Sequence, residues 1–434
     1  MPDLLIDLPT IVGAEHVRCD GETSRYATDG RVPRAVVFPG SAEETGAVLA
    51  ICNEFKAAVV PWGGGTSMGL GVPPSAVDVA IDLRRLDQVI DHEPEDMTST
   101  IQPGITLQRY QEHLGRHGQF VALDPPQPAR ATIGGILAAN LSGPRRLRYG
   151  TARDLLIGLR VAHADGTITK GGAKVVKNVT GYDMNKLYIG SLGTLGVIVE
   201  ATFRLYPRPA AERTWLGRFA ALADAGRAIA RILDSPIVPS ALELLNGAAA
   251  IGIGQGFADM PRDGCIVGLA VASVPEAVVA QLRTAQSLAG QDGLLLDGAE
   301  HDAFWAAVRD YSGDSGIILK AALPIGAVAE FVSAAEKCAH AHRQPLAAIA
   351  EAGSGIVRCY VRAETPSGAA PLVTELRSAS EALRGSLVVL QAPPDMKAAV
   401  DVWGPVKGLD LMLRLKMEFD PARILNPGRF VGGI

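Results

Sequence analysis

Short apolar runs on either side of one amphipathic segment stand out in the first quarter of the chain. Residues 35–38 predict a strand, and Ser41 with Glu44 three positions later predicts the capped start of a helix that reaches about Phe55. The apolar residues 57–60 then predict a buried strand. This order predicts a β-α-β unit that leads directly into a glycine-rich loop.

After the loop, the pattern changes to strands that follow one another along the chain. Residues 77–83 alternate apolar and polar positions, which predicts a half-buried strand, and residues 98–102 repeat the signal. Residues 107–117 predict a helix. Asp165-Gly166 separates two further apolar runs, which is typical of a hairpin. An antiparallel sheet is therefore predicted to follow the β-α-β unit.

The middle of the chain has a different pattern of predicted elements. Amphipathic, alanine-rich helices are predicted at residues 220–233, 276–289 and 327–342, and short strands at residues 266–272 and 356–361. Such alternation suggests an α+β domain of the split β-α-β kind with two similar halves, although no sequence repeat is strong enough to define them.

Length and proline positions predict how the chain is divided. A chain of 434 residues suggests two or three domains. Prolines near 208 and 393 mark the boundaries, so we predict a first domain over residues 1–207 and a second over 208–392. Residues 393–434 form an apolar C-terminal segment that is expected to return and dock on the first domain.

The loop from Pro61 to Gly71 is the main candidate for chemistry. It holds five glycines, so several backbone N–H groups can point into one concavity and bind an anion such as a phosphate. Thr66 and Ser67 add hydroxyl donors without bulk. A tight surface turn uses glycine in the same way, so the loop by itself leaves both interpretations open.

Other small or cationic segments add candidates. Residues 131–143 are rich in small side chains that would let the backbone approach a planar or anionic ligand, and residues 191–196 form a further glycine-rich turn before a strand. Arg145, Arg146 and Arg148 lie in a loop that could face a phosphate or an acidic partner, or be an ordinary solvated charge run.

Composition excludes several classes of protein. The net charge is −5 and the pI is near 5.9, so no overall field favours nucleic acid. The five cysteines form no C-x-x-C pair that could begin a zinc or iron–sulfur site. Acidic residues near the N-terminus and the lack of a long apolar run argue against a secretory signal and a spanning helix, so we expect a cytoplasmic protein.

Four segments in this order resemble the vanillyl-alcohol-oxidase type of FAD-binding flavoproteins, also called PCMH-type. They are the loop 63–67, the run 132–135 with Asn140 and Gly143, the turn 193–198, and the C-terminal residues 420–428. The resemblance implies an α+β fold in which a PCMH-type FAD-binding domain carries a β-α-β unit, an antiparallel sheet and helices, followed by an α+β cap domain.

The resemblance also implies which residues contact FAD. The expected contacts in the first half of the chain are Trp62, Gly63, Gly64, Gly65, Thr66, Ser67, Gly69, Pro125, Thr132, Ile133, Gly134, Gly135, Asn140, Gly143 and Tyr149. Those farther along are Gly196, Val197, Ile198 and Asn426. Covalent relatives attach FAD through His or Cys near these loops, and residues 62–71 and 132–143 contain neither, so FAD is expected to be noncovalent.

Residues 143–146 and 171–183 narrow the resemblance to the FAD-binding E subunit of bacterial glycolate dehydrogenase. That resemblance implies a cytoplasmic flavoprotein working with a related flavin subunit and an iron–sulfur subunit. The reaction implied is oxidation of a small 2-hydroxy acid, glycolate, to glyoxylate, with electron transfer to the respiratory chain. Any membrane contact would be peripheral, at the inner membrane and through the partners.

One motif of the 2-hydroxy-acid branch is altered. Its catalytic members carry metal-binding histidines in an H-x-G-x-G-N-x-H stretch, and the nearest counterpart here, Glu351 to Arg358, keeps the glycines without either histidine. His340 and His342 lie two apart on a predicted helix and point to different faces, which disfavours a metal pair. No metal site is predicted, and no catalytic residue is identified.

Three functions remain open from the sequence. The first is an electron-transferring FAD subunit whose sister chain performs the main hydroxy-acid oxidation. The second is a self-sufficient FAD-dependent 2-hydroxy-acid dehydrogenase in which Lys174, Lys177, Tyr182 or Arg358 holds the substrate carboxylate. The third is a flavin-free protein that keeps the fold for assembly alone.

Overall fold

The computed structural model describes residues 4–173, 182–254, 256–257, 260–261, 263–312, 316–362 and 367–434. Its strands are β1 Val17–Arg18, β2 Ala35–Val37, β3 Val59–Trp62, β4 Val79–Asp82, β5 Val89–Glu93, β6 Thr98–Ile101, β7 Gln119–Phe120, β8 Leu156–Ala162, β9 Ile168–Gly172, β10 Val197–Arg204, β11 Tyr206–Pro207, β12 Ala211–Phe219, β13 Ala241–Asn246, β14 Cys265–Ser273, β15 Leu294–Leu296, β16 Ile317–Ala322, β17 Leu346–Glu351, β18 Ile356–Val361 and β19 Ser386–Gln391.

The α-helices of the described residues are distributed along the whole chain. They are α1 Leu4–Val12, α2 Ala42–Glu54, α3 Leu107–Gly115, α4 Ile133–Ala139, α5 Arg146–Tyr149, α6 Ala152–Leu155, α7 Asn185–Tyr188, α8 Leu222–Leu233, α9 Gly247–Gly252, α10 Pro275–Ala289, α11 Gly298–Arg309, α12 Val328–Ala341, α13 Ala370–Ala382, α14 Pro394–Ala399 and α15 Leu409–Phe419.

The chain divides into two compact units. The first unit contains Met1–Ser142, Thr151–Arg208 and Pro405–Ile434, and the second contains Gly143–Gly150 and Pro209–Gly404. The short basic loop before Thr151 is therefore grouped with the second unit, and only Pro405–Ile434 of the C-terminal segment with the first.

The predicted β-α-β unit is confirmed in the first unit. Helix α2 begins at the Ser41 cap, whose hydroxyl accepts a bond from the Glu44 N–H at 3.0 Å, and the Glu44 carboxylate accepts one from the Gly40 N–H at 2.6 Å. Strands β2, β4 and β3 pair in parallel, and β4 lies between the other two. The expectation that residues 77–83 are half-buried was wrong, because the central strand of a parallel sheet is covered on both faces.

The predicted antiparallel sheet is also confirmed. Its strand order is β5-β6-β10-β8-β9, and the hairpin formed by β8 and β9 turns at Asp165-Gly166. In the C-terminal segment, the Ile424 carbonyl accepts a bond from the Val59 N–H at 2.7 Å, and the Asn426 N–H donates to the Val59 carbonyl at 2.8 Å. The tail thereby pairs with β3, the strand that leads into the glycine loop.

The second unit is built on one eight-stranded antiparallel sheet of order β15-β12-β14-β13-β17-β18-β16-β19. Each half of this sheet contains four strands and two main helices in the chain order β-α-β-β-α-β, with α8 and α10 in one half and α12 and α13 in the other. The two similar halves suggested by the sequence are therefore visible as a structural repeat. Among the described residues, no helix is both long and apolar enough to span a membrane.

Candidate functional site

The glycine loop that follows β3 has backbone N–H groups that make no hydrogen bond with a described residue. In the part of the chain that the structure describes, the N–H groups of residues 63–68 donate to no other residue, and the loop's one backbone turn bond joins the Leu70 N–H to the Ser67 carbonyl. The hydroxyl groups of Thr66 and Ser67 also make no hydrogen bond with a described residue. Such a run of unused donors is the arrangement that binds a phosphate or pyrophosphate.

Close backbone packing explains why the loop needs glycine. A Cβ atom at Gly64 would lie 1.8 Å from the Arg130 carbonyl oxygen, and one at Gly63 would lie 2.2 Å from the Thr132 hydroxyl. Gly65 has a φ of +71°, in the left-handed region that disfavours a side chain. The loop is therefore held directly against residues 130–132, and its donors have a fixed direction.

A groove lies beside the loop in the first unit. It is lined by eight of the predicted cofactor residues, Trp62, Gly63, Thr132, Gly134, Gly135, Gly196, Val197 and Ile198. It is also lined by Leu83 and Pro103, which the sequence did not single out, and by Pro61, Ala138, Ser191 and Gly193, which belong to the candidate segments 61–71, 131–143 and 191–196. Three separate chain segments thus meet along one groove, which fits an elongated ligand with a phosphate at the loop.

The remaining predicted contacts lie elsewhere in the structure. Gly64, Gly65, Thr66, Ser67 and Gly69 belong to the loop but not to the groove lining. Ile133 is buried at the start of α4, a helix that Thr132 caps and that Asn140 ends in a left-handed conformation.

Pro125, Gly143 and Tyr149 form a second set outside the groove lining. Pro125 is buried in an irregular segment of the first unit. Gly143 and Tyr149 belong to the second unit, where Tyr149 is the last residue of α5. The contacts of these three residues with FAD remain predictions.

Asn426 and Arg429 connect the C-terminal tail to the loop. The Asn426 side chain donates to the Leu192 carbonyl at 2.5 Å, and the Arg429 guanidinium donates to the carbonyls of Met68 and Leu70, each at 2.7 Å. Arg429 is 3% exposed, and its burial lowers the pKa of the guanidinium to about 10. It therefore holds the end of the glycine loop from the side of the tail and adds a buried positive charge there.

Lys416 forms a second buried connection in the first unit. Its Nζ lies 2.7 Å from Asp420 and donates to the carbonyls of Thr194 and Leu425 at 2.8 and 2.9 Å. Asp420 in turn accepts from the N–H groups of Ile424 and Leu425. Both charges are satisfied by these bonds, so the pair joins α15 to the turn at residues 193–198 that borders the groove.

A tyrosine missed by the sequence reasoning supports Trp62. The ring centroids of Tyr26 and Trp62 lie 5.0 Å apart, and the Tyr26 hydroxyl donates to the buried Asp82 carboxylate at 2.7 Å. Burial first, and then Asp82, raise the pKa of Tyr26 to about 12, so the phenol stays protonated at neutral pH. Asp82 ends β4 next to Trp62, a position that the strand pattern could have indicated.

The basic loop of the second unit is engaged by its own unit. Arg145 pairs with Glu212 at 2.9 Å, Arg146 lies 3.6 Å from Glu351, and Arg148 donates to the Ala272 carbonyl. Each of the three guanidinium groups therefore has a bond within the second unit, and the expected phosphate-facing or partner-facing role of the loop stays a prediction.

The altered motif forms an ion pair. Arg358 Nη2 lies 2.6 Å from Glu351 Oε1, and Arg146 approaches the other oxygen, so the carboxylate is held by two cations. Glu351 is 2% exposed and Glu243, its cross-strand neighbour, is equally buried. Glu351 and Arg358 occupy the first and last positions of the stretch that resembles the family's metal-binding motif.

The other residues considered for substrate or metal form no common site where the structure describes them. Tyr182 is 94% exposed, and Lys174 and Lys177 lie outside the described residues. His340 lies on α12, and His342, just beyond its end, pairs with Glu375 at 2.6 Å. No group of three or more His, Cys, Asp or Glu side chains among the described residues could hold a metal ion.

The first unit's fold and its groove define a flavin-binding protein, and comparison with known proteins agrees. Residues 33–172 match the FAD binding domain, and residues 208–389 and 397–430 match the C-terminal domain of FAD linked oxidases. The solved structure of p-cresol methylhydroxylase has the same fold, with a TM-score of 0.79 at 17% identity over 98% of this chain and 96% of that one.

Two curated relatives show more closely which FAD-linked oxidases this chain is similar to. The chain is 29% identical to glycolate oxidase subunit GlcD of Bacillus subtilis, over 92% of this chain and 89% of that protein. It is 30% identical to the mitochondrial D-lactate dehydrogenase [cytochrome] of Arabidopsis thaliana, over 92% of this chain and 74% of that protein.

The chain belongs to the FAD-linked oxidases of the PCMH-type flavoproteins, and the resemblance found in the sequence is confirmed. It is an FAD-dependent oxidoreductase. The unused N–H groups of residues 63–68 fit the FAD pyrophosphate, and the groove along Gly134, Gly135 and residues 196–198 fits the rest of the cofactor.

Proposed function

We propose that this chain is the FAD-binding subunit of a multi-subunit 2-hydroxy-acid dehydrogenase that oxidises glycolate to glyoxylate. In this proposal the electrons pass to an iron–sulfur partner, and the main oxidation takes place on a related flavin subunit. The Bacillus subtilis relative is itself named as a subunit of glycolate oxidase, and the Arabidopsis relative is named for D-lactate, another 2-hydroxy acid.

The ion pair between Glu351 and Arg358 is the observation that supports placing the main oxidation on the related flavin subunit. A guanidinium has no lone pair to give a metal, and the Glu351 carboxylate is already held by Arg358 and Arg146. The two positions that resemble metal-ligand positions are thus occupied by a closed pair. A hydroxy acid bound here would lack the metal that positions its hydroxyl group, which favours oxidation on the partner.

The chain's own residues hold and orient the cofactor. Bound FAD supplies a two-electron acceptor that can release electrons singly to an iron–sulfur centre. The loop at residues 63–68 holds the pyrophosphate, and Arg429 fixes the loop by its bonds to the Met68 and Leu70 carbonyls. Trp62 is held against the groove by Tyr26, whose protonated hydroxyl is bound to Asp82.

Purifying the chain alone and together with its partners tests the proposal. We expect the lone chain to contain FAD but to reduce it slowly with glycolate, and the assembled complex to oxidise glycolate at full rate. The partner flavoprotein with the iron–sulfur subunit is the control for where the main oxidation occurs. A lone chain that oxidises glycolate as fast as the complex would overturn the assignment.

FAD is expected to be bound noncovalently, so that denaturing the protein releases it. Among the described residues that line the groove, none is a His or a Cys that could attach the flavin covalently. Acid precipitation of the holoprotein should therefore release all the FAD into the supernatant, where its absorbance is measured against the flavin content before precipitation. Yellow colour that stays in the pellet after denaturation contradicts a noncovalent cofactor.

A further inference from the structure

One carboxylate beside the cofactor groove is completely buried. Asp82, the last residue of β4, is 0% exposed. Its Oδ2 accepts a bond from the Tyr26 hydroxyl at 2.7 Å and from Arg84 Nη2 at 2.5 Å. Its Oδ1 accepts bonds from the Arg84 backbone N–H and from Arg84 Nε, each at 3.0 Å. A buried charge is costly unless it is paired and hydrogen-bonded, and here both conditions are met.

These bonds decide what Asp82 can do. A carboxylate oxygen has two lone pairs, and each oxygen of Asp82 already accepts two bonds. Arg84 Nη2 also donates to the Tyr26 hydroxyl at 2.9 Å, so the three side chains form a closed network. In this network of described residues, Asp82 has no lone pair left to take a substrate proton, and its role is to hold other groups in place.

The first group that Asp82 holds is Trp62, which lines the groove and precedes the glycine loop. Trp62 and Asp82 are paired residues at the ends of the parallel strands β3 and β4. Tyr26 connects them, because its hydroxyl is bound to Asp82 and its ring lies against the Trp62 ring with the centroids 5.0 Å apart. The Phe38 ring packs edge-on against Tyr26, with the centroids 6.2 Å apart. The carboxylate thus sets the place of Tyr26, and Tyr26 supports that of Trp62.

The second group is the turn that follows β4. Asp82 caps the short 3₁₀ helix Leu83–Arg85 through its bond from the Arg84 N–H, and Leu83 lines the groove. The turn is packed closely against Gly104, since a Cβ atom there would lie 2.1 Å from the Leu83 carbonyl oxygen. A shift of the capped turn would therefore be passed on to the segment that contains Gly104.

The neighbour of Gly104 continues the connection. Pro103 lines the groove, and its carbonyl accepts a bond from the Gly134 N–H at 2.8 Å. Gly134 lines the groove as well. Four of the lining residues, from four segments of the chain, are therefore connected to one carboxylate by consecutive contacts.

We propose that Asp82 is a positioning residue for FAD, which sets the shape of the groove through Tyr26 and Trp62 and through the turn at Leu83. Asp82 acts through these residues, since it does not itself line the groove. The proposal goes beyond the division of labour between subunits, because it concerns how this chain binds its cofactor and holds whichever subunit oxidises the substrate. It rests on FAD binding, which the family match shows.

Titration of the FAD-stripped full chain with FAD, followed by flavin fluorescence, tests the proposal. Asp82→Asn keeps the size of the side chain and one oxygen for the cap, but it removes the charge and one of the two acceptor oxygens. We expect the Kd for FAD to rise about tenfold, or 1.4 kcal/mol, the order of one net hydrogen bond. Tyr26→Phe removes only the hydroxyl and should raise the Kd about threefold. Because Tyr26 acts through Asp82, the double variant should lose less than the two single losses combined.

Asp165→Asn is the matched control. Asp165 also accepts a bond from the backbone N–H two residues ahead, that of Thr167 at 3.0 Å, but it is exposed and lies in the turn between β8 and β9. Loss of its charge should leave the affinity for FAD unchanged. Equal changes in Asp165→Asn and Asp82→Asn would show a general effect of net charge, and would overturn the proposal.

The visible circular dichroism of bound FAD separates positioning from support of the fold. At saturating FAD, Asp82→Asn and Tyr26→Phe should change this signal, because the groove that surrounds the flavin has changed shape. A role in stability alone predicts a lower melting temperature with the affinity and the dichroism of the wild type, and that result would overturn the proposal. If Asp82→Asn does not fold, Tyr26→Phe decides in the same way, since unchanged affinity and dichroism there contradict the connection through Asp82.

The outcomes separate this inference from the proposed function. A lone chain that oxidises glycolate at full rate, with an affinity for FAD that depends on Asp82, removes the division of labour and leaves the positioning role in place. A complex that behaves as proposed, with an affinity for FAD that is independent of Asp82 and Tyr26, removes the positioning role alone.

Discussion

Gly64→Ala is expected to weaken FAD binding strongly while the second unit remains folded. The new methyl group would lie 1.8 Å from the Arg130 carbonyl oxygen, and this neighbour is backbone that cannot rotate away. Overpacking usually costs about 1–3 kcal/mol, and since each 1.4 kcal/mol is tenfold in affinity, we expect affinity for FAD to fall by about 5- to 150-fold. The loop would have to move away from residues 130–132, and its unused N–H groups would lose their common direction.

Flavin content after purification, and titration of the stripped protein with FAD, measure this effect. Gly21→Ala is the matched control in the same unit, because no atom lies within 4 Å of the place that its Cβ would take. The control should bind FAD like the wild type. If Gly64→Ala retained normal flavin content, the loop would not be the part of the protein that holds the pyrophosphate.

Lys416→Met is expected to lower the free energy of unfolding of the first unit by about 3–5 kcal/mol, because it leaves the buried Asp420 charge without its partner. The same change removes the donors to the Thr194 and Leu425 carbonyls, and so loosens the turn at the edge of the groove. Urea unfolding, followed through the transition that releases the flavin, reports on the first unit in a two-unit chain.

The same helix provides the control. Arg414 and Asp410 form an ion pair with the same four-residue spacing as Lys416 and Asp420, at 2.8 Å, but their side chains are 74% and 76% exposed. Arg414→Met should change the free energy of unfolding by no more than about 0.5 kcal/mol, since exposed pairs in helices contribute little. Equal effects of the two variants would mean that the Lys416 pair does not connect the tail to the groove.

Local patterns explain which elements could be predicted from the sequence. Strand and helix periods are set by neighbouring residues, so α2, α8, α10 and α12 were placed within a few positions of their observed ends. Helix α4 was missed, because Gly134 and Gly135 are poor helix formers and dominate its first turn. Thr132, which caps this helix, was the sequence signal that could have predicted it. The segment was instead interpreted as one that approaches a ligand.

Contacts between distant segments explain what was missed at the site. Arg429 reaches the Met68 carbonyl across 361 positions, and Lys416 reaches Thr194 across 222. Spacing along the chain carries no information about such pairs. The acceptors of Arg145, Arg146 and Arg148 could not be predicted for the same reason, since they lie far along the chain.

The sequence by itself determined that this is an FAD-binding protein, because the ordered glycine segments that fit a pyrophosphate and a flavin are local features of the chain. It also showed that the metal-binding histidines of related proteins are replaced. Only the tertiary structure decided that Glu351 and Arg358 form an ion pair with each other. That pair depends on how β17 and β18 align side by side, and register between strands is set by packing of the whole sheet.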